Sequence, residues 1–268
     1  MRFARTISLA AVAALAGATP LLSQGPVKYA PGSRRYHLIS VVKRTQEMDG
    51  QKTEFQITNE QRVSLKILAH SKDTLRFAVT LDSTKLSSNL PVQLPDLSKL
   101  QGTQVSGAMS PTGKVYSISS SVVADSGTDT QNLVEGMSRF LIAVPPGAKV
   151  GSSWVDTATS TVNRQGNDLE SKTITTTTLL GDTTYAGQRA WRLERKLVLQ
   201  IGGTQVQGND QLSMKGEGTG SGMYYVSTRG VYLGSTATEN MTMTVAIASK
   251  GLTIPVTQSA TSKVELVK

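Results

Sequence analysis

The sequence predicts an all-β, mainly antiparallel protein. Apolar and polar residues alternate strictly in several separate segments, for example at Leu75, Phe77, Val79 and Leu81. Such alternation is typical of a strand with one buried face. Short turns rich in glycine, asparagine and aspartate separate these segments, and no run of helices alternates with them, which argues against βαβ folds and their nucleotide sites. We therefore expect either a curved sheet or two repeated half-barrel-like sheets, with one mid-chain helix.

The alternation predicts strands along most of the chain. They are expected at 36–46, 54–69, 75–81, 103–109, 114–120, 154–164, 169–180, 191–201, 223–234, 241–247 and 252–266. Arg195 is the single break in the apolar parity of its strand. The last two strands should form a long hairpin. Pro255 cannot donate to a ladder, so it indicates an edge position or a bulge in the final strand.

One helix is predicted at about 129–143, near the middle of the chain. Thr128 or Asp129 can cap it, and Pro145-Pro146-Gly147 ends it. Its apolar face comprises Leu133, Val134, Met137, Phe140 and Leu141. We expect the helix to cover a sheet or to join two halves, an N-terminal β half over 36–145 and a C-terminal β half over 146–268.

Two similar stretches suggest an internal repeat. SPTGKVYSIS at 110–119 resembles VSTRGVYLGS at 226–235, with Thr112 aligned to Thr228 at an offset of 116 residues. Two unrelated hairpins that both use threonine and glycine in their turns would give the same likeness, so both interpretations stay open.

The N-terminus predicts export. Arg2 and Arg5 precede a short apolar run, and Ala16-Gly17-Ala18 offers a cleavage site, which together are typical of a secretory signal peptide over 1–18. The run is too short to span a bilayer, and no later stretch is apolar enough to do so. We expect a soluble mature protein in the periplasm or outside the cell, beginning with a flexible segment over 19–35.

Composition argues against several partners and cofactors. The 28 basic residues exceed the 19 acidic ones, for a net charge of +9, but they are scattered. Nucleic-acid binding usually needs a basic stripe with interleaved aromatics, so no nucleic-acid partner is expected. The chain has no cysteine, which excludes disulfides and thiolate metal sites.

Residues able to perform catalysis form no recognisable motif. His37 and His70 lack metal-binding spacing, there is no G-x-S-x-G motif, and most of the aspartates considered sit in turns. We therefore predict no enzyme, no catalytic residue, no metal and no cofactor, and keep a hydrolase only as the weakest of three hypotheses.

Four glycines at a spacing of two form the most unusual stretch, KGEGTGSGMYYV at 215–226. A phosphate cradle needs a different spacing and a following helix, whereas the residues that follow here are β-branched and aromatic. The glycines should share one face of a strand and let the sheet bend or pack closely. If that bare face lines a cavity instead, it makes room for a ligand at Gly218 and Gly220.

A leucine-rich, proline-broken stretch at 86–102 cannot be a regular strand. It includes Leu90, Leu94, Leu97 and Leu100. Structurally it would be a connection that packs on the sheet edge. Functionally it would be a lid over an apolar cavity.

The signal peptide, the turn SPTGKVYSIS, the predicted helix with VPPGAKVGSSW after it, and GTGSGMYYVSTRGVYL resemble a family of exported bacterial β-proteins of unknown function. The resemblance covers most of the mature chain but implies no catalytic residue. More distantly, the pattern of a curved sheet with a helix is similar to periplasmic lipid and lipoprotein carriers of the LolA type, a likeness of fold only.

We predict a non-enzymatic envelope protein that binds a lipid or another apolar or amphiphilic ligand in a cavity of the curved sheet. The candidate ligand-binding residues are Leu94, Leu97, Leu100, Phe140, Gly218 and Gly220. The alternative is a structural or protein-interaction module of the cell envelope without a small-molecule ligand, in which the C-terminal strand pairs with a partner protein.

Overall fold

A computed structural model describes residues 27–48, 50–89, 97–120, 140–164, 167–207 and 210–267. They form eleven strands: β1 Gly32–Met48, β2 Gln51–Ser71, β3 Thr74–Ser88, β4 Gln104–Met109, β5 Val115–Ser120, β6 Ser153–Arg164, β7 Asn167–Tyr185, β8 Gln188–Gln207, β9 Asp210–Ser227, β10 Tyr232–Ile247 and β11 Leu252–Val267. Within these ranges, helical structure is limited to two 3-10 turns, Ser98–Leu100 and Ala248–Lys250. The all-β prediction is confirmed.

The strands form one curved antiparallel sheet in the order β5-β4-β3-β2-β1-β11-β10-β9-β8-β7-β6. All pairings join strands adjacent in sequence except one, β1 with β11, which runs from Arg35 opposite Val267 to Gln46 opposite Val256. This pairing joins the two halves into a single sheet. Over the described residues the sheet is not closed, because β5 and β6 lie at its two edges. The first predicted form, one curved sheet, is therefore the observed one.

Pro255 explains why the ladder between β1 and β11 ends where it does. Pro255 lies opposite Thr244 of β10, but the pairing of β11 with β1 stops one residue later in the chain, at Val256. Proline thus stands where β11 has a ladder partner on one side only, which is the local edge that its missing N–H requires.

The mid-chain helix predicted at about 129–143 lies mostly outside the described residues. Its last part, 140–143, is described and is not helical. There the backbone N–H of Ile142 donates to the Tyr29 hydroxyl at 2.7 Å, and that of Val144 donates to the Thr112 carbonyl at 2.9 Å. These N–H groups bond to other parts of the chain, so the helix prediction is wrong for these last residues.

The strand predicted at 223–234 is also wrong in its extent. Residues 228–231 form a tight turn, and the chain reverses there between β9 and β10. The predicted signal peptide lies outside the described residues. The predicted flexible segment at 19–35 includes the buried Val27 and Tyr29 and the start of β1.

The buried core lies on one face of the sheet, which we call the inner face. It carries alternate residues of each strand, including Tyr36, Leu65, Phe77 and Leu193, and all four are buried. Opposite this face lies a cap, which we define as residues 27–30 and 140–144. The end of the inner face beneath the cap is the capped end.

Three rings join the cap to the sheet. Phe140 has no exposed surface, and its ring centroid lies 5.0 Å from that of Tyr36 and 5.7 Å from that of Tyr232. The Tyr36 hydroxyl also donates to the Tyr232 carbonyl at 3.0 Å. Tilted and edge-on aromatic pairs at such distances add to the stabilisation from buried area.

Two turns of the same geometry support the cap. In the β4–β5 turn, the N–H of Lys114 donates to the Ser110 hydroxyl, and in the β9–β10 turn that of Val231 donates to the Ser227 hydroxyl, both at 3.0 Å. Ser110 therefore corresponds to Ser227, and the alignment predicted from sequence is displaced by one residue. Whether the halves are a true repeat stays a prediction.

Candidate functional site

The inner face continues beyond the cap, and we call this second region the open end. Most of its apolar side chains are partly exposed, although Val256 of β11, opposite Met243, is buried. Six of them define the apolar strip: Leu197, Leu199 and Ile201 of β8, Met241 and Met243 of β10, and Ile254 of β11. None of the six belongs to the buried core cluster or packs against it. Single exposed apolar residues are ordinary, but a contiguous group marks a surface that binds something.

The glycine row of β9 lies in the middle of this strip. Gly218 is paired with Leu199 on one side and with Met241 on the other. A Cβ added to Gly220 would lie 2.8 Å from the Glu239 side chain and 3.1 Å from that of Leu197. Neighbouring side chains therefore lean over the bare backbone, which agrees with the close-packing interpretation. Contact of a ligand with Gly218 or Gly220 stays a prediction.

Two arginines point to the same face. Arg44 of β1 donates from Nε and Nη2 to the Gln258 side-chain oxygen, at 3.2 and 2.8 Å, and its guanidinium carbon lies 5.6 Å from the Phe55 ring centroid. Burial lowers the pKa of Arg44 from its usual value. Arg195 of β8 has its guanidinium carbon 5.1 Å from the Tyr224 ring centroid. Its Nε is buried and has no hydrogen-bond acceptor among the described residues.

The structure does not bring the six predicted ligand-binding residues together. Leu100 and Phe140 are buried in the core of the capped end, and Leu97 packs against that core. Since Phe140 has no exposed surface, its ring contacts only protein in this conformation. Gly218 and Gly220 belong to the open end, and Leu94 lies outside the described residues.

The apolar residues of the cap and the sheet residues beneath them form one buried cluster, so the candidate surface is the open end. Arg195 and Arg44 were not among the residues predicted to bind. Arg195 did leave a signal in the sequence, because it alone interrupts the apolar parity of β8. Arg44 left none, because its register against Gln258 and Phe55 depends on the pairing of β1 with β11 and β2.

The outer face differs in chemistry. It holds two open grooves with cavity volumes of about 890 and 470 Å³. Their walls include many polar side chains, among them Lys43, Glu54, Thr242, Thr257 and Lys263. The larger groove is lined mainly by polar side chains and suits an alkyl chain poorly, because burial of such a chain is favourable only against apolar surface. The smaller groove also has Ile39, Val41 and Met223 in its walls.

Titratable groups offer little chemistry within the described ranges. His37 Nε2 lies 2.7 Å from Glu60 Oε1 in a partly exposed pair on the outer face. No three histidine, aspartate or glutamate side chains among the described residues are grouped so that they could hold a metal ion. A search of the same residues finds no helix with the length and apolarity needed to cross a membrane.

No protein-family model matches the chain, and no curated protein matches it by sequence. Among solved structures, the chain is similar to Pseudomonas aeruginosa OccK11 (OpdR), at 9% identity over 92% of this chain and 100% of that chain, with a TM-score of 0.22. It is also similar to a putative outer membrane lipoprotein-sorting protein domain from Vibrio parahaemolyticus, at 10% identity over 87% and 83%, with a TM-score of 0.19.

A third similar structure is a DUF1329 family protein from Desulfovibrio piger, at 9% identity over 88% of this chain and 85% of that chain, with a TM-score of 0.19. The lipoprotein-sorting domain is of the class to which the sequence was likened above. All three TM-scores are too low to support a conclusion about fold or function. The resemblance to a family of exported β-proteins therefore stays a prediction.

Proposed function

We propose that this chain is a non-enzymatic envelope protein that binds an apolar or amphiphilic molecule at the apolar strip. The observation that supports the proposal is the partial exposure of Leu197, Leu199, Ile201, Met241, Met243 and Ile254 on one continuous face. The predicted signal peptide supports the location. The site differs from the predicted one, because the ligand lies on the open end and not beneath the cap.

Energetics make a long alkyl chain a suitable ligand. Burial of each methylene contributes about 0.8 kcal/mol, so ten methylenes contribute about 8 kcal/mol before the costs of association. Met241 and Met243 suit such a ligand, because the unbranched methionine side chain adapts to irregular apolar partners. Gly218 and Gly220 add no side chain that would compete for the same surface.

A neutral fluorescent probe tests the strip. The emission of 1-N-phenylnaphthylamine rises in apolar surroundings, so its titration into the purified protein measures binding without a charged head group. We expect saturable binding, and we expect Leu199→Asn to weaken it at least tenfold, because the substitution puts an amide in the strip. Val198→Asn is the matched control, since Val198 is the next residue of the same strand, points to the outer face and is 47% exposed.

Equal effects of the two variants, or no saturable binding by the unmodified protein, would contradict the proposal. Circular dichroism of both variants checks that the sheet is intact.

The alternative is an interaction module in which a free edge strand of the sheet pairs with a partner protein. The structure does not leave the predicted strand free for this role. The C-terminal strand β11 pairs with β1 and β10 and is therefore central, so its predicted role as a free edge is wrong over 256–267. Within the described residues β6 pairs with β7 alone. An edge strand presents unpaired backbone groups to a partner chain. Light scattering that shows a defined oligomer, with no probe binding, would favour this alternative.

A further inference from the structure

A buried donor without an acceptor lies beside the apolar strip. Arg195 is the inner-face residue of β8 next to Leu197, the first residue of the strip. Its Nε–H is buried and has no acceptor among the described residues, and no carboxylate of those residues lies within ion-pair distance of its guanidinium. Buried donors are nearly always paired in folded proteins, so this N–H is available to an acceptor that no described residue supplies.

The surroundings hold this guanidinium in place. It lies over the ring of Tyr224 at 5.1 Å, a contact that fixes its orientation. Across the ladder on β7 stands Thr177, which is buried, and across the ladder on β9 stands Gly222, which has no side chain. The plane of the Arg195 guanidinium is therefore fixed by the Tyr224 ring. The polar side chain of Thr177 lies on one side of Arg195, and the bare backbone of Gly222 lies on the other.

The nearby carboxylates do not neutralise Arg195. Asp156 is opposite Thr175 on β7, and so it is separated from Arg195 by a whole strand. Its Oδ1 is likewise buried without a partner. Glu239 is opposite Gly220, one inner-face position away and beyond the glycine strand. A partly buried positive charge without a counter-charge favours the binding of an anion.

The position of Arg195 relative to the strip selects the kind of anion. Leu197, Leu199 and Ile201 follow it at alternate positions of the same strand. At about 3.4 Å per residue, Ile201 lies about 20 Å from Arg195, a distance on the scale of an extended long acyl chain. Arginine presents planar paired donors that match a carboxylate or a phosphate.

We infer that Arg195 binds the anionic head group, a carboxylate or a phosphate, of an amphiphile whose alkyl chain lies on the apolar strip. The inference rests on the proposed function and adds the class of ligand. Arg44 has a different role, because both of its hydrogen bonds go to the neutral side chain of Gln258.

Displacement of bound 1-N-phenylnaphthylamine by three ligands with one chain length tests the inference. Dodecanol provides the chain alone, dodecanoate adds a carboxylate and dodecyl phosphate adds a phosphate. At least one of the two anions should displace the probe at a concentration tenfold or more below that of dodecanol. The tighter anion then indicates whether the source is a fatty acid or a phosphate-bearing lipid.

Arg195→Gln should remove this tenfold preference and change the dodecanol affinity by less than twofold. Arg195→Lys, which keeps the charge but lacks the Nε–H, should retain only part of the preference. Arg192→Gln is the matched control, because Arg192 is an exposed outer-face residue of the same strand. Arg44→Gln tests the other inner-face arginine, and we expect it to leave the preference intact.

Equal displacement by dodecanol and both anions would overturn the inference, as would a preference that survives in Arg195→Gln or disappears in Arg44→Gln alone. Failure of the proposed function gives a different result, in which neither the probe nor any of the three ligands binds.

Discussion

The capped end and the open end of the inner face are built from the same strands but have different surfaces. At the capped end Phe140, Tyr36 and Tyr232 are buried by residues that come from far along the chain. At the open end Leu199 and Met241 have the same strand parity as core residues, yet they stay partly exposed. The difference teaches that alternation identifies the apolar face of a strand but does not tell whether that face is core or binding surface.

The largest expected effect concerns the residue that joins cap and sheet. Phe140→Ala should lower the free energy of unfolding by about 3–5 kcal/mol, because it removes a fully buried ring and leaves a cavity. Met241→Ala at the open end should cost about 1 kcal/mol or less, since its side chain is already partly exposed. Urea unfolding followed by far-ultraviolet circular dichroism measures both.

Similar losses in these two variants would mean that the open end is covered as well as the capped end. In that case the comparison between the two ends would no longer hold, and neither would the proposed binding surface.

Substitution of two glycines, Gly230 and Gly187, tests how closely the cap approaches the sheet at the capped end. Gly230 and Gly187 have similar backbone angles, φ +79° and +76°. A Cβ at Gly230 would overlap the Lys28 carbonyl of the cap, whereas one at Gly187 would have nothing within 4 Å.

Gly187→Ala should therefore cost only the left-handed penalty of about 1–2 kcal/mol. Gly230→Ala should cost about 1–3 kcal/mol more, because the overlap forces the cap to move. The difference between their unfolding midpoints, at equal denaturant dependence, measures the cap contact. Equal midpoints would show that residues 27–30 do not hold the cap on the β9–β10 turn.

A further difference between the two ends is a dependence of stability on high pH, which belongs to the capped end. Burial raises the pKa values of Tyr29, Tyr36 and Tyr232 above the ordinary value near 10. Above about pH 10 the unfolded chain loses these protons while the folded protein keeps them. Because the unfolded state then binds fewer protons, the free energy of unfolding falls with pH, by about 1.4 kcal/mol per pH unit for each buried tyrosine.

Unfolding at intervals between pH 9 and 12 measures this slope. Tyr36→Phe should make it shallower, whereas Tyr116→Phe, at a tyrosine that is 56% exposed, should leave it unchanged. A slope that is the same in both variants and in the parent would indicate that Tyr36 becomes exposed at high pH before the protein unfolds.

Local patterns were enough to predict most of the fold. Period-two alternation places β2, β3, β8 and β11 correctly, because a half-buried strand imposes that spacing directly. The errors fall where distant contacts decide. Residues 140–143 have apolar spacing that suits a helix, but the Tyr29 hydroxyl accepts the N–H of Ile142. The β-branched and aromatic residues on either side of 228–231 predict one continuous strand. The structure instead has a turn there, which Gly230 makes possible.

The candidate site was less predictable for the same reason. Leu100 and Phe140 are predicted ligand contacts because they lie on the leucine-rich stretch and the mid-chain helix, the two expected covers of a cavity. The structure buries both of them in the core instead. Arg195 was visible as a break in parity, but its unpaired Nε depends on the side chains that three adjacent strands provide. Such a feature follows from register and not from local sequence.

The pairing of β1 with β11 has a consequence for how the protein reaches its structure. Of the ten ladders among the described strands, nine connect sequence neighbours and can form as hairpins, but this one brings Arg35 beside Val267. Closing so large a loop is slow, since its entropic cost precedes any gain from the contact. The middle of the sheet should therefore be the last part to assemble, and a chain halted before β11 would leave two separate sheets, each with an unprotected edge.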